Sequence, residues 1–169
     1  MDVQSETFQL HYRLALDKDV DILYDLYMDD VSNPYLTYDH MDKNEFERIY
    51  HELLPTKTLY VVEADDKVIA SYRLIPKSDR QAHTIYLGGF VVNHSLKGKG
   101  LGSKILEHIK NMATTEGVKR IELTVDLENE GAIRLYSKTG FVIEGHIRKS
   151  YKRSSTERYY DEYLMGLLL

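Results

Sequence analysis

The stretch most capable of chemistry runs from Val91 to Ser103, Val-Val-Asn-His-Ser-Leu-Lys-Gly-Lys-Gly-Leu-Gly-Ser. β-rich residues lead into a loop holding Gly98, Gly100 and Gly102 with Lys97 and Lys99, and Leu101 opens an apolar pattern of helical spacing. Glycines let backbone N–H groups close on a ligand, the first turn of a helix leaves its N–H groups free, and the helix dipole adds about half a positive charge there. The combination is a cradle for an anion such as a phosphate. It does not fit the dinucleotide fingerprint, because a third glycine would have to stand at 103 or 105, where Ser103 and Ile105 are found. It does not fit the P-loop either, since no Gly-Lys-Ser/Thr follows a glycine at the required interval. Without further support the same residues also describe a plain glycine-rich turn.

Composition removes other chemistries. With no cysteine there is no thiolate nucleophile, disulfide framework or cysteine metal site. His11, His40, His51, His94, His108 and His146 show no i,i+3 or i,i+4 pairing, so no metal site is expected. The net charge of −5 argues against sequence-independent binding to nucleic acid or anionic lipid. That total hides a division: residues 1–66 carry 16 acidic and 5 basic side chains, whereas residues 67–169 carry 11 and 17. Two partners of different charge are one explanation, and solvated acidic helix faces are the other. The first residues have neither a basic start nor an apolar core, and no apolar run nears the ~18 residues of a membrane span, so a cytoplasmic chain without membrane partners is expected.

The 169 residues fit one domain, 1–169, with three prolines and no evident linker. Phe8 to Ala15 alternates weakly and predicts a strand. Asp17 or Asp19 is placed to cap a helix through Val20, Leu23, Tyr24, Tyr27 and Met28, and Asp42 a second one through Phe46, Ile49, Tyr50 and Leu53, stopped by Pro55. Leu59–Val62 and Val68–Tyr72 flank Asp65-Asp66, a hairpin signal. His83 to Val92 predicts a strand whose Gly88-Gly89 pair marks a bulge or a close backbone approach. A helix through Leu101, Ile105, Leu106, Ile109 and Met112 follows, then a strand over Ile121–Val125, then a helix through Ala132, Ile133, Leu135 and Tyr136 closed by Gly140. Strands near Phe141–Arg148 and Arg158–Leu167 complete an α+β order, βααβββαβαββ, around a mixed, mostly antiparallel central sheet flanked by helices.

Lys97-Gly98-Lys99-Gly100-Leu101-Gly102 resembles the Arg/Gln-x-x-Gly-x-Gly/Ala motif of the GCN5-related N-acetyltransferase (GNAT) family, with Lys97 in place of Arg or Gln. Downstream, Asn129, Ala132, Leu135-Tyr136 and Gly140-Phe141 are similar to the family's second hallmark, in the same order. The resemblance covers roughly residues 57–168. It implies that the glycine loop holds the pyrophosphate of acetyl-CoA, the acetyl donor, through Lys97, Gly98, Lys99, Gly100, Leu101, Gly102 and Ser103. Phe90, Val91, Val92, Asn129, Ala132, Tyr136 and Lys138 are the further coenzyme contacts it implies. The implied reaction is direct attack of a primary amine on the thioester carbonyl through a tetrahedral intermediate. Backbone N–H groups at Val91 or Val92 would polarise the carbonyl, and Tyr136 would protonate the departing thiolate, since a phenol near pKa 10 stays protonated at neutral pH. Left to itself, Tyr136 extends the apolar face of Ala132 and Ile133, and Asn129 is an ordinary helix cap. Glu122, Glu128 and His83 lie on or beside the strands that should border the cleft and are the candidates for a general base, with a water chain as the substitute.

In this family the first helices and the last hairpin wall the acceptor site. Here those helices are acidic, which suits a cationic acceptor: a polyamine, an amino sugar or a peptide amino terminus. Tyr35, Tyr38, Tyr72, Tyr159, Tyr160 and Tyr163 are candidates to line it. The ending from Gly140 to Arg148 and from Tyr160 to Met165 resembles the family's branch acting on amino acids or protein amino termini. A homodimer is one assembly the resemblance allows. A coenzyme A binding or sensing domain that acts through a protein partner is the alternative from another class.

Overall fold

The computed structural model describes residues 9–169. Seven strands form one sheet in the order β1-β2-β3-β4-β5-β7-β6: β1 (Leu10–Leu14), β2 (Leu59–Ala64), β3 (Lys67–Pro76), β4 (Thr84–Val92), β5 (Arg120–Asp126), β6 (Val142–Arg153) and β7 (Arg158–Leu168). Four α-helices interrupt them, α1 (Val20–Tyr27), α2 (Lys43–Leu53), α3 (Leu101–Thr115) and α4 (Glu130–Lys138), giving the expected element order. Phe8, placed at the start of the first strand by its alternation, lies outside the described residues.

Local chemistry accounts for most boundaries. Asp65 and Asp66 both take positive φ, 49° and 60°, so the β2–β3 turn has the double left-handed geometry that matches strand twist. Asp42 accepts from the Glu45 N–H at 3.0 Å and caps α2. Gly140, at φ 102°, follows the last turn of α4 as anticipated. Asp19 departs from expectation. It stands before α1 but makes no side-chain cap to it; its buried carboxylate takes the Arg13 guanidinium, at 2.6 and 2.9 Å, and the Leu16 N–H at 2.8 Å. A charged partner on β1, six residues back, outcompetes the helix N–H groups for this carboxylate.

Burial would raise the Asp19 carboxyl, but Arg13 and the Leu16 N–H outweigh it and hold it below its ordinary value. A carboxyl depressed by folding adds stability above its unfolded pKa and loses it as pH falls through the folded one. Asp19→Asn should therefore reduce stability at neutral pH and flatten the acid limb below about pH 4, in urea titrations across pH.

Two cores lie on opposite faces of the sheet. Leu101, Ile105, Leu106 and Ile109 of α3 join Tyr136 and Phe141 against Val62, Leu87, Ile121, Leu123 and Met165. Leu23, Leu26, Tyr27, Phe46 and Tyr50 of α1 and α2 pack on Leu59, Val61 and Val91 from the other side. The alternation of β5 divides accordingly: Ile121, Leu123 and Val125 join the α3 face, so Glu122, Thr124 and Asp126 face the α1–α2 side.

Every neighbouring strand pair is antiparallel except β4 and β5, and that parallel pair joins only Thr84–Tyr86 to Arg120–Glu122. Beyond Tyr86 the two strands part. β4 stays with β3 as far as Val92, and β5 stays with β7 as far as Asp126. A gap therefore opens in the centre of the sheet, pointing toward the loop that enters α3.

Candidate functional site

The gap widens into a cleft of about 760 Å³, walled by β4, β5, the first turns of α3 and α4, the segment after α1, and Tyr151 and Glu162 from the last hairpin. Its β4 wall is bent. Between Ser71 and Arg73 the register with β4 shifts, from Val91 to Gly88, which bulges Gly89 and Phe90 opposite Tyr72. Gly89 has φ 56°, and a Cβ there would stand 2.8 Å from the Tyr27 hydroxyl, which donates to the Gly89 carbonyl at 3.1 Å. Both meanings of the glycine pair, bulge and close approach, are thus realised at one residue.

Ladder alternation decides which N–H groups face the gap. Asn93 N–H donates to Ile69 O at 2.8 Å, so the pair two residues back, Val91 with Ser71, is also a hydrogen-bonded pair. Val91 spends its N–H on β3. Val92, opposite Ala70, turns its N–H the other way, toward the parted strand. Of the two residues expected there, the ladder leaves Val92.

At the wide end, Gly98 and Gly100 have φ 84° and 73°, with no atom of the described residues within 4 Å of a Cβ built on either. Their role is backbone conformation and open space. Gly100 is the N-cap of α3 and supplies no side-chain cap. The first intrahelical N–H bond is Lys104 to Gly100 O, 3.2 Å, which leaves the amides of Leu101, Gly102 and Ser103 without a helical acceptor. Gly102 differs from the other two: a Cβ would lie 2.8 Å from Leu135 Cδ2, so this glycine lets α3 approach α4. The wall here includes Lys97 and His94, and from α4 Asn129, Ala132 and Tyr136. Asn129 caps α4 by accepting from the Ala132 N–H at 3.2 Å.

Tyr136 is buried, its ring centred 6.3 Å from Phe90 and 5.6 Å from Phe141. Burial pushes its phenol well above the ordinary value, with Tyr86 adding to the shift. The hydroxyl has no hydrogen-bond partner among the described residues, and the side chain lines the cleft.

Several expected residues are placed elsewhere. Glu122 sits at the closed end, where β4 and β5 still pair, held by Lys77 and by Arg120 at 3.3 Å. His83 is exposed ahead of β4 and engages Lys119 and Arg120 through its carbonyl. Glu128 is exposed, 3.6 Å from Arg153. None of the three lines the cleft, nor do Lys99 and Lys138; Lys138 points outward from the last turn of α4.

The acceptor-side expectations also shift. Among the described residues, the acidic half of the chain contributes Val31, Ser32, Tyr35, Leu36 and Thr37 to the walls and no carboxylate. Of the six tyrosines singled out, Tyr35 lines the cleft, while Tyr72 is core and Tyr160 lies beneath Arg153. Tyr86, Thr124, Asp126, Tyr151 and Glu162 are the additions. Tyr86 Oη and Thr124 Oγ1 are 2.9 Å apart. Buried Asp126 receives Arg153, the Tyr151 hydroxyl and the Glu128 N–H, and the Arg153 guanidinium lies 3.7 Å over the Tyr160 ring. The available signal was positional: Asp126 ends a strand just before a helix cap, and Glu162 pairs with it in register.

The segment after α1 crosses the cleft mouth and is tied at both ends. Asp29 meets His94 Nδ1 at 3.0 Å beside the glycine loop. Asp39 accepts from Ser154 N–H at 3.2 Å and Ser154 Oγ at 2.7 Å on the last hairpin.

A model of the acetyltransferase (GNAT) family matches residues 20–141. Spermine/spermidine N(1)-acetyltransferase of Bacillus subtilis (strain 168) is 35% identical over 88 residues, 50% of this chain and 58% of that protein. L-amino acid N-acetyltransferase AaaT of Escherichia coli (strain K12) is 34% identical over 93 residues, 54% and 56% of the two chains. The chain thus spans a little over half the length of these curated relatives. Among solved structures, an acetyltransferase of the GNAT family from Streptococcus pneumoniae superposes with a TM-score of 0.74 at 25% identity, covering 95% of this chain and 100% of that one. Spermidine N-acetyltransferase from Vibrio cholerae, in complex with CoA and spermine, gives a TM-score of 0.80 at 23% identity over 95% of each chain, a likeness of fold.

Proposed function

Because the chain belongs to the acetyltransferase (GNAT) family, we propose that it transfers the acetyl group of acetyl-CoA to a primary amine by direct attack through a tetrahedral intermediate. The observation that carries this reading is the parting of β4 from β5, a gap that runs from the Val92 N–H to the uncapped first turn of α3 with Tyr136 at its wall. The cradle fits the donor: open space over Gly98 and Gly100, free amides at Leu101, Gly102 and Ser103, and Lys97 beside them suit a pyrophosphate. The slot between the strands suits an extended amide-bearing arm that pairs with exposed strand edges.

In this mechanism the Val92 N–H holds the thioester carbonyl and stabilises the charge that develops on its oxygen. The amine lone pair forms the new C–N bond, and the C–S bond breaks with its electron pair going to sulfur. Tyr136 gives the sulfur its proton, and the protons shed by nitrogen restore the phenol and pass to solvent. A phenol raised by burial is held protonated until sulfur becomes a strong base, which couples proton transfer to C–S cleavage. Asn129 fixes the start of α4 and with it Tyr136.

The acceptor is a small-molecule or peptide amine. The relatives named for spermine and spermidine and for L-amino acids supply two members of the panel, polyamines and amino acids, to which aminoglycosides and short peptides are added, with thiol release from acetyl-CoA as readout. Saturable release with at least one class supports transfer. Silence across the panel from protein that binds CoA overturns it in favour of a CoA-sensing role.

A further inference from the structure

Among the described residues two carboxylates line the cleft, Asp126 and Glu162. They stand opposite each other in the β5–β7 ladder and so emerge on one face, toward α1 and α2. Their surroundings differ. Asp126 is buried with Arg153, the Tyr151 hydroxyl and the Glu128 N–H on its oxygens, so its charge is matched inside the protein. Half-buried Glu162 accepts from the Ser150 hydroxyl, a neutral donor, and has no ion-pair partner among the described residues. The contact depends on a β6 bulge: the register slips between Ile147 and Tyr151, Lys149 takes φ 51°, and Asp161 ties the bulge through the Lys149 N–H at 2.8 Å. The bulge aims Ser150 at Glu162.

The basic side chains of the cleft wall among the described residues, Lys97 and His94, are at the other end, beside the glycine loop. The guanidinium nearest Glu162's partner is committed to Asp126 and stacked on Tyr160. A carboxylate facing a partly desolvated cleft with only a hydroxyl for company favours a cation there and disfavours a second anion. We propose that Glu162 is a specificity-determining residue that receives an ammonium group of the acceptor and so selects polycationic amines over amino acids, whose own carboxylate would enter the same space. This rests on the acetyl transfer proposed above.

The test compares spermidine with leucine as acceptors at saturating acetyl-CoA. Wild type should use spermidine with the higher kcat/KM. Glu162→Gln, which retains the volume and the Ser150 hydrogen bond, should raise the spermidine KM about tenfold or more with the acetyl-CoA KM unchanged, and Glu162→Asp should recover part of the loss. An unchanged spermidine KM in Glu162→Gln, or a wild-type preference for leucine, overturns the assignment. Calorimetric titration of spermidine into CoA-saturated protein separates this from failure of the transfer reading. Weaker binding by Glu162→Gln upholds the residue's role even if no amine is acetylated, and equal binding refutes it.

Discussion

Tyr136→Phe should lower kcat by about a hundredfold or more while leaving CoA affinity within a factor of about two. Removing a positioned proton donor from an acyl transfer loses on the order of 10² to 10⁴ in rate. The substitution keeps the ring that packs between Phe90 and Phe141, so neither the α4 core nor the cleft wall should move. The hydroxyl holds no other residue among those described, and its loss leaves no buried partner stranded. Single-turnover thiol release gives the rate of the chemical step, and a CoA thermal shift tests the wall. If thiol release is unchanged, sulfur takes its proton from water and Tyr136 is only packing.

Asp126→Ala should destabilise the protein by about 3 kcal/mol, because Arg153, itself nearly buried, would be left with only the exposed Glu128, at 3.6 Å, against its charge. Arg153 is already poorly supplied: its Nε is buried without a hydrogen-bond partner among the described residues. Asp126→Asn keeps the shape and an acceptor oxygen and should lose less. A better check on the cause is Asp126→Ala combined with Arg153→Met, which removes the unpaired charge and keeps an apolar stem over Tyr160; stability should return in part, a coupling that urea unfolding of the double-mutant cycle measures. Additive losses would show that Asp126 matters through Tyr151 and the Glu128 amide instead.

The legible parts of this fold were those governed by neighbours in sequence. The Asp65-Asp66 turn, the Asp42 cap, Gly140 and the glycines of the loop before α3 each obey local backbone rules, and each is found where the residues place it. Gly89 was legible as an anomaly, though its partner Tyr27, 62 residues away, was not. The acceptor end was the hardest to read. Asp126, Tyr151, Arg153 and Glu162 converge only because β7 inserts between β5 and β6, and nothing in any one segment announces that pairing. Charge counting misled for a related reason. The acidic side chains of α1 and α2 face solvent or pair locally, as Asp21 does with Lys43, while the carboxylates that reach the cleft come from the basic half of the chain.

The segment from Asp29 to Asp39 joins His94, next to the glycine loop, to Ser154, on the last hairpin. A strip fastened at both banks cannot settle on one without adjusting its hold on the other. A ligand that shifts the strip at one bank is coupled through it to a ligand at the other, and by linkage the effect is equal in both directions. That coupling runs through eleven residues, Asp29 to Asp39, that contribute no charged group to the walls of the cleft.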